Sequence, residues 1–439
     1  MADTTADGRI IELEIGGVAH GGVFVARHEG RVVFVPDVLP GERVVVRLSD
    51  TRKSSFWRAD ALEVTEASPH RRAHVWWQAD IDTPPEQRPG GADFGHIELG
   101  HQRQLKLQVL LEALERFGGI IGPAATISGV APILDAESSV RDEETADGTR
   151  WRTRVSLHVD ADGRIGPYAA RSHRVIPVRD LPLATSAVQD AALELRGAKP
   201  GRIDLVQPAD GRVRVLPRPD EPAGRGRARP PRGGRADREI VVERVGGREF
   251  RVDAGGFWQV HRLAASTLTG AVTAALGSVG GVDPDAWHLD LYGGVGLFAA
   301  AIAGQSGSAT RVTSVESDAR ATDHAGENLA EWVGARAETG RVDRWLAKVV
   351  AEASAAERER LSRGVVLLDP PRAGAGREVV ESVTSLSPAA VVYVACDPVA
   401  LARDIATFRA RGYEPTRIDG FDLFPNSHHV EAVATLVSR

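Results

Sequence analysis

Cysteine is almost missing from this chain: there is one, Cys396, among 439 residues. A lone thiol forms no internal disulfide, and it builds no zinc or iron–sulfur cage, because such cages take several thiolates on one centre. If Cys396 has a role, it acts alone. Long apolar runs are missing too. No stretch approaches the roughly 20 consecutive apolar residues that cross a bilayer, and the opening segment MADTTADGRIIELEIGG has neither a basic start nor an unbroken apolar core. The chain therefore reads as soluble and cytoplasmic, with no membrane partner. Nor does one sign of charge dominate. With 54 Lys and Arg against 60 Asp and Glu the formal charge is −6, so attraction to a polyanion has to come from local patches.

What is present divides the chain. At 42% hydrophobic over 439 residues, two or three cores are expected, since a single core seldom grows past about 250 residues. Residues 9–67 alternate apolar and polar in short runs broken by Gly, Pro and Asp, the pattern of a small antiparallel barrel. Ser68–Gly91, rich in Pro, His, Arg and Gln and without periodicity, reads as a connector. His101–Phe117 reads as a helix with Leu107, Leu110, Leu111, Leu114 and Phe117 on one face, ended by Gly118-Gly119. RTRVSLHVD and RIDLVQ, within 151–218, suggest a second sheet-rich unit. The segment 221–238 holds six Arg and few apolar side chains, so a flexible loop able to contact phosphates is expected. From Ile240 onward strand-like and helical runs alternate, which implies a parallel sheet covered by helices. Three units follow: a barrel over 1–68, a central sheet-rich α+β unit over 69–238, and an α/β unit over 239–439.

Four strand ends in the last unit carry chemistry. HLDLYGGVGLF, His288–Phe298, runs from a strand through a Gly-rich turn into a helix. There Gly294 and Gly296 would let backbone approach a ligand at the carboxyl edge of the sheet. Glu316 ends the next strand, where a carboxylate can accept both hydroxyls of an adenosine ribose. A dinucleotide and S-adenosylmethionine both suit these features, and the absence of a six-position pyrophosphate loop favours the methyl donor. GVVLLDPPRAG ejects Asp369 at a strand end, and Pro370 and Pro371 stiffen the turn that presents Arg372 as a polar clamp. VVYVACDP puts Cys396 at a further strand end, where the charge of Arg372 would help lower its pKa. His428 and His429 lack further ligands at usable spacing, so no metal is expected; Glu431 beside them stands where a last strand begins.

Together these residues suit methylation of pyrimidine carbon 5. Cys396 would add to carbon 6, and Glu431 would remove the carbon 5 proton. Amino-group methylation of a purine, cytosine-C5 methylation, and an RNA-binding protein with a vestigial cofactor pocket remain open alternatives.

FWQVH from Phe257, DLYGGVGLF, DPPRAG, VACDP and FPNSHHVEAV together resemble the RNA 5-methyluridine (uracil-C5) methyltransferase family, and the first 68 residues look like a TRAM domain. The resemblance implies a Rossmann-like class I methyltransferase domain, Cys396 as nucleophile and Glu431 as proton acceptor. It also implies that Gln259, Tyr292, Glu316 and Asp369 contact S-adenosylmethionine, with Phe257 near the target base. The partner would be a structured tRNA or ribosomal RNA, met on the barrel side by Arg52, Lys53, Arg58, Arg71 and Arg72. Some members carry a four-Cys iron–sulfur cluster; here the corresponding segment reads PGGADFGH, so no cluster is expected. Gly293 stands where many members have Cys, and His261 where Asn is usual. The sequence does not speak to oligomeric state, and a monomer is the working expectation.

Overall fold

The computed structural model describes residues 7–130, 147–220 and 236–439. All but the last three residues of the Arg-rich segment therefore lie outside the described residues. Strands β1 (Ile10–Ala19), β2 (Val23–His28), β3 (Arg31–Val35), β4 (Arg43–Asp50) and β5 (Phe56–Glu66) close a barrel in the order β1-β2-β3-β5-β4. Alternation sends Val33, Val35, Val44, Val46, Ala59 and Ala61 inward, each fully buried. Closure leaves the barrel without a free edge.

The connector is more ordered than its composition suggests. Arg88 is buried and donates to Asp37, to the Ala61 carbonyl of β5, and to the carbonyls of Thr83 and Ile81, which fastens the segment to the barrel. The next helix, Leu99–Arg116, forms where expected but buries a different face: Gln102, Leu105, Lys106, Leu110, Ala113 and Leu114. Phe117 stays 43% exposed. Lys106 turns inward because its ammonium meets Asp422 at 2.5 Å, with both side chains fully buried.

Strand β6 (Thr126–Gly129) follows, and then a central antiparallel sheet of β7 (Arg154–Val159), β8 (Ile165–Gly166), β9 (Gly201–Val206) and β10 (Arg214–Pro219), in the order β10-β9-β7-β8. A hairpin of β11 (Ile240–Val245) and β12 (Arg248–Asp253) precedes the large sheet. That sheet is built from β13 (Trp287–Leu291), β14 (Arg311–Glu316), β15 (Ala335–Thr339), β16 (Val365–Leu368), β17 (Ala390–Ala395), β18 (Tyr413–Asp422) and β19 (Glu431–Ser438). Its order is β15-β14-β13-β16-β17-β19-β18-β6, so β6, from the 69–238 stretch, forms its outer edge.

Strands β13 to β17 pair in parallel, and β19 runs antiparallel between β17 and β18. Every residue of β16 and β17 is buried, as expected of strands covered on both faces by helices. Chain progression reverses direction between β13 and β16, and such a switch point opens a crevice at the carboxyl ends of the strands.

Candidate active site

Pairing registers bring the chemistry together at that crevice. Leu291 of β13 pairs with Leu368 of β16, so the next residues, Tyr292 and Asp369, emerge side by side. Ala395 of β17 pairs with Ala432 of β19. Because those strands are antiparallel, the residue after one, Cys396, faces the residue before the other, Glu431. Side chains directly opposite on such strands have Cβ atoms about 5 Å apart. Glu431 is 5% exposed.

Phe257, Gln259, Tyr292, Gly294, Glu316, Asp369, Arg372, Cys396 and Glu431 all line one cleft of about 1060 Å³. Gly296 does not. It precedes the helix Leu297–Ala303 with φ +87°, and a side chain there would press on Leu329 at 3.2 Å, so this glycine serves backbone geometry and packing. Gly293 is fixed still more tightly: a Cβ would lie 1.9 Å from Ser314 Oγ and 2.6 Å from Asp290 Oδ2. In this chain the space above the turn is already taken, which accounts for Gly where a larger residue is usual.

Glu316 is braced. One carboxylate oxygen accepts from Ser317 Oγ at 2.9 Å and the Asp318 amide at 2.8 Å, the other from the Gly294 amide at 3.3 Å. Asp369 and Glu431, by contrast, accept no hydrogen bond from the described residues. Burial, reinforced by Asp290, pushes Asp369 up to about 7. Burial and the nearby Asp369 push Glu431 up to about 8, with Arg372 opposing. Both carboxyls thus stand ready for a ligand that donates or carries positive charge.

The Cys396 thiol rises rather than falls. Burial, then the carboxylates of Glu431 and Asp369, lift it to about 12, and Arg372 pulls down without prevailing. The expected direction of the Arg372 effect is right and its size is not: the guanidinium is exposed, so water screens it, while the thiol sits against buried Glu431 and half-buried Asp369. In the ligand-free protein Cys396 therefore keeps its proton.

Three cleft residues, Asp253, Arg320 and His324, went unnoticed in the sequence. Asp253, at the end of β12, accepts from Arg320 Nη2 at 2.6 Å and His324 Nε2 at 2.8 Å; its place at a strand end, like that of Glu316, is the only local hint. Asp397 caps the helix Pro398–Ala410 and meets His20 of the barrel at 3.0 Å, so a barrel turn sits directly beside Cys396. His261 is buried, stacked on Trp151 at 5.2 Å, and held neutral by burial with its pKa near 3. His428 spends Nδ1 on Asp93 at 2.6 Å, and among the described residues no group of three or more His, Cys, Asp or Glu is arranged to hold a metal.

Two of the cations expected to meet RNA are spent inside the protein. Arg71 is tied to Glu42 and the Asp37 carbonyl, and Arg72 to Asn426 and the Gly95 carbonyl. Arg52 pairs with Asp50 at the surface. Arg58 stays exposed, its guanidinium 5.9 Å from the Phe56 ring, and Lys53 is also exposed.

Comparison with known proteins identifies relatives of the chain. The TRAM domain model matches residues 5–62, and the tRNA (uracil-5-)-methyltransferase model matches residues 284–439. A protein of Streptomyces avermitilis named "uncharacterized RNA methyltransferase" is 38% identical over 448 residues, covering 98% of each chain. One of the same description from Corynebacterium glutamicum is 32% identical over 461 residues, covering 100% of this chain and 99% of its own. The crystal structure of Pyrococcus abyssi tRNA (uracil-54, C5)-methyltransferase in complex with S-adenosyl-L-homocysteine shares the fold, with a TM-score of 0.67 at 20% identity over 97% of this chain and 99% of that one. The chain belongs to the tRNA (uracil-5-)-methyltransferase family.

Proposed function

We propose that the chain is an S-adenosylmethionine-dependent enzyme that methylates carbon 5 of a uridine in a structured RNA, either tRNA or ribosomal RNA. The observation that carries this reading is the β17–β19 register, which sets Cys396 and Glu431 face to face in a cleft shared with the Gly294 turn and Glu316. The same cleft offers a fit for the donor. Glu316, held by three donors, suits the ribose hydroxyls, and Asp369, with no hydrogen bond of its own, suits a cationic group. Gln259 and Tyr292 complete that side. When bound, the donor supplies an electrophilic methyl carbon.

Carbon 5 of uracil is a weak nucleophile. Cys396, once its thiol proton has passed to solvent in the cleft, adds as thiolate to carbon 6 and drives the electron pair of the 5,6 double bond toward carbon 5 and oxygen 4. Once carbon 5 carries the methyl group, the Glu431 carboxylate takes its proton; the double bond re-forms and the sulfur leaves as thiolate. A carboxylate lifted to about 8 is a stronger base than an ordinary one. Phe257, 74% exposed on the cleft wall, offers a ring on which a splayed-out base can stack.

Incubation with radiolabelled donor and total unmodified RNA, followed by nucleoside analysis, tests the proposal. Label in 5-methyluridine is the expected result. Label on a purine amino group or on cytosine, or RNA bound without any label, would overturn it.

A further inference from the structure

A second cavity, of about 350 Å³, adjoins the catalytic cleft. The two share Arg152, Gly255, Gly256 and Val260 in their walls. The two glycines add no side chain to the saddle between the cavities, and the ion pair of Arg218 with Asp237 stands over Gly255, where a Cβ would lie 2.9 Å from Asp237 and 3.0 Å from Arg218. Nothing described so far uses this cavity.

Its chemistry points to one kind of ligand. Leu157, Leu181, Leu183 and Leu205 make an apolar floor. The polar wall is cationic, holding Arg152, Arg154 and Arg202. Trp76 lines the cavity at 4% exposure, and its indole N–H meets no acceptor. Arg154 gives Nη1 to the Ala254 and Gly256 carbonyls and Nη2 to Glu243, and its Nε, closed off from the cavity, meets no acceptor. Arg152 spends Nε on the Arg154 carbonyl and pairs with no carboxylate among the described residues. The one acid in the wall, Asp204, is already answered by Ser156, Arg202 and Arg218 at 2.6–2.7 Å. A flat heterocycle with acceptors on its edge, carried on an anionic backbone, fits a wall of this kind; a cation does not.

We propose that this cavity binds the base of a nucleotide neighbouring the methylated one, extruded from the same RNA strand, which crosses the Gly255-Gly256 saddle. The proposal rests on the RNA-methylating reading of the main cleft. Seating a second base would fix where along the strand the target falls, so the cavity sets sequence context as well as affinity.

The test starts from the labelled RNA, mapped to its methylated nucleotide. Oligonucleotides spanning that position are made with each flanking nucleotide in turn replaced by an abasic residue. In the wild-type protein one abasic position is expected to raise KM about tenfold or more with kcat changed less, the effect of losing one seated base. Val155→Trp, which fills the cavity from its β7 wall, is expected to weaken intact RNA by a similar factor and to become indifferent to that abasic position, as a coupled pair must. Leu183→Phe, on another wall, is read in the same way should Val155→Trp not fold. Unchanged S-adenosylhomocysteine affinity in the folded variants separates a lost RNA contact from a damaged donor site. A flat abasic series, or an abasic penalty equal in wild type and variants, overturns the second pocket while leaving the methylation reading intact; failure of the wild type to label any RNA sinks both.

Discussion

Replacing Glu431 by Gln removes a carboxyl that the fold holds 5% exposed beside a second, half-buried acid, Asp369. In the unfolded chain this group titrates at its ordinary 4.5; folded, it titrates at about 8. Between those values the native state keeps a proton that the unfolded state has lost, so stability is full below about 4.5 and falls as pH rises toward 8. The gap of 8 minus 4.5, at about 1.4 kcal/mol per pH unit, corresponds to about 5 kcal/mol at most, with part of it owed to the charge of Asp369. Gln ionises at no pH and keeps the shape. Denaturant unfolding of wild type and Glu431→Gln at pH 5 and pH 9, followed by tryptophan fluorescence, should therefore show a variant of similar stability at pH 5 that is more stable by several kcal/mol at pH 9. Parallel stabilities at both pH values would mean that Glu431 is not a buried, strained base, and the reasoning would fail.

Other expectations follow from the same geometry. Arg372→Gln removes the one charge that pulls both Cys396 and Glu431 downward, so the rising limb of kcat/KM against pH should move to higher pH; an unmoved limb would separate Arg372 from both groups. Lys106→Ala leaves buried Asp422 with only the longer contact to half-exposed Arg103 at 3.4 Å and should cost up to about 3 kcal/mol in denaturant unfolding, whereas Lys106→Met with Asp422→Leu should recover most of it. Gly293→Ala drives a methyl into Ser314 Oγ and should abolish S-adenosylhomocysteine binding by calorimetry, with partial return in Gly293→Ala/Ser314→Gly.

Much of this architecture is written locally. The barrel follows from strict alternation in residues such as Val33, Val35, Val44 and Val46, and the large sheet from apolar runs that end in Tyr292, Glu316, Asp369 and Cys396. Strand ends are legible because a buried strand needs an apolar run and its end is where polar residues resume. What was not legible is pairing across distance. A Lys on a helix reads as solvent-facing, and only the partner Asp422, 316 residues away, makes it a core residue. The same holds for Arg71 and Arg88, found fastening the connector to the barrel, and for Arg72, found fastening it to Asn426, all three taken for surface or connector charge. The meeting of Cys396 with Glu431 depends on β19 entering between β17 and β18 in reverse, an arrangement that composition and periodicity do not reveal. The protonated thiol likewise depends on two acids brought to it by other strands.

The most direct test is intact-mass analysis of Glu431→Gln after incubation with donor and substrate RNA. With the proton acceptor gone, sulfur and methyl group should both stay on the base. The predicted product is a protein–RNA adduct carrying one added methyl and linked through Cys396, absent from Cys396→Ala/Glu431→Gln. Turnover of uridine by Cys396→Ala, or a Glu431→Gln protein that methylates at the wild-type rate with no adduct, would contradict the account.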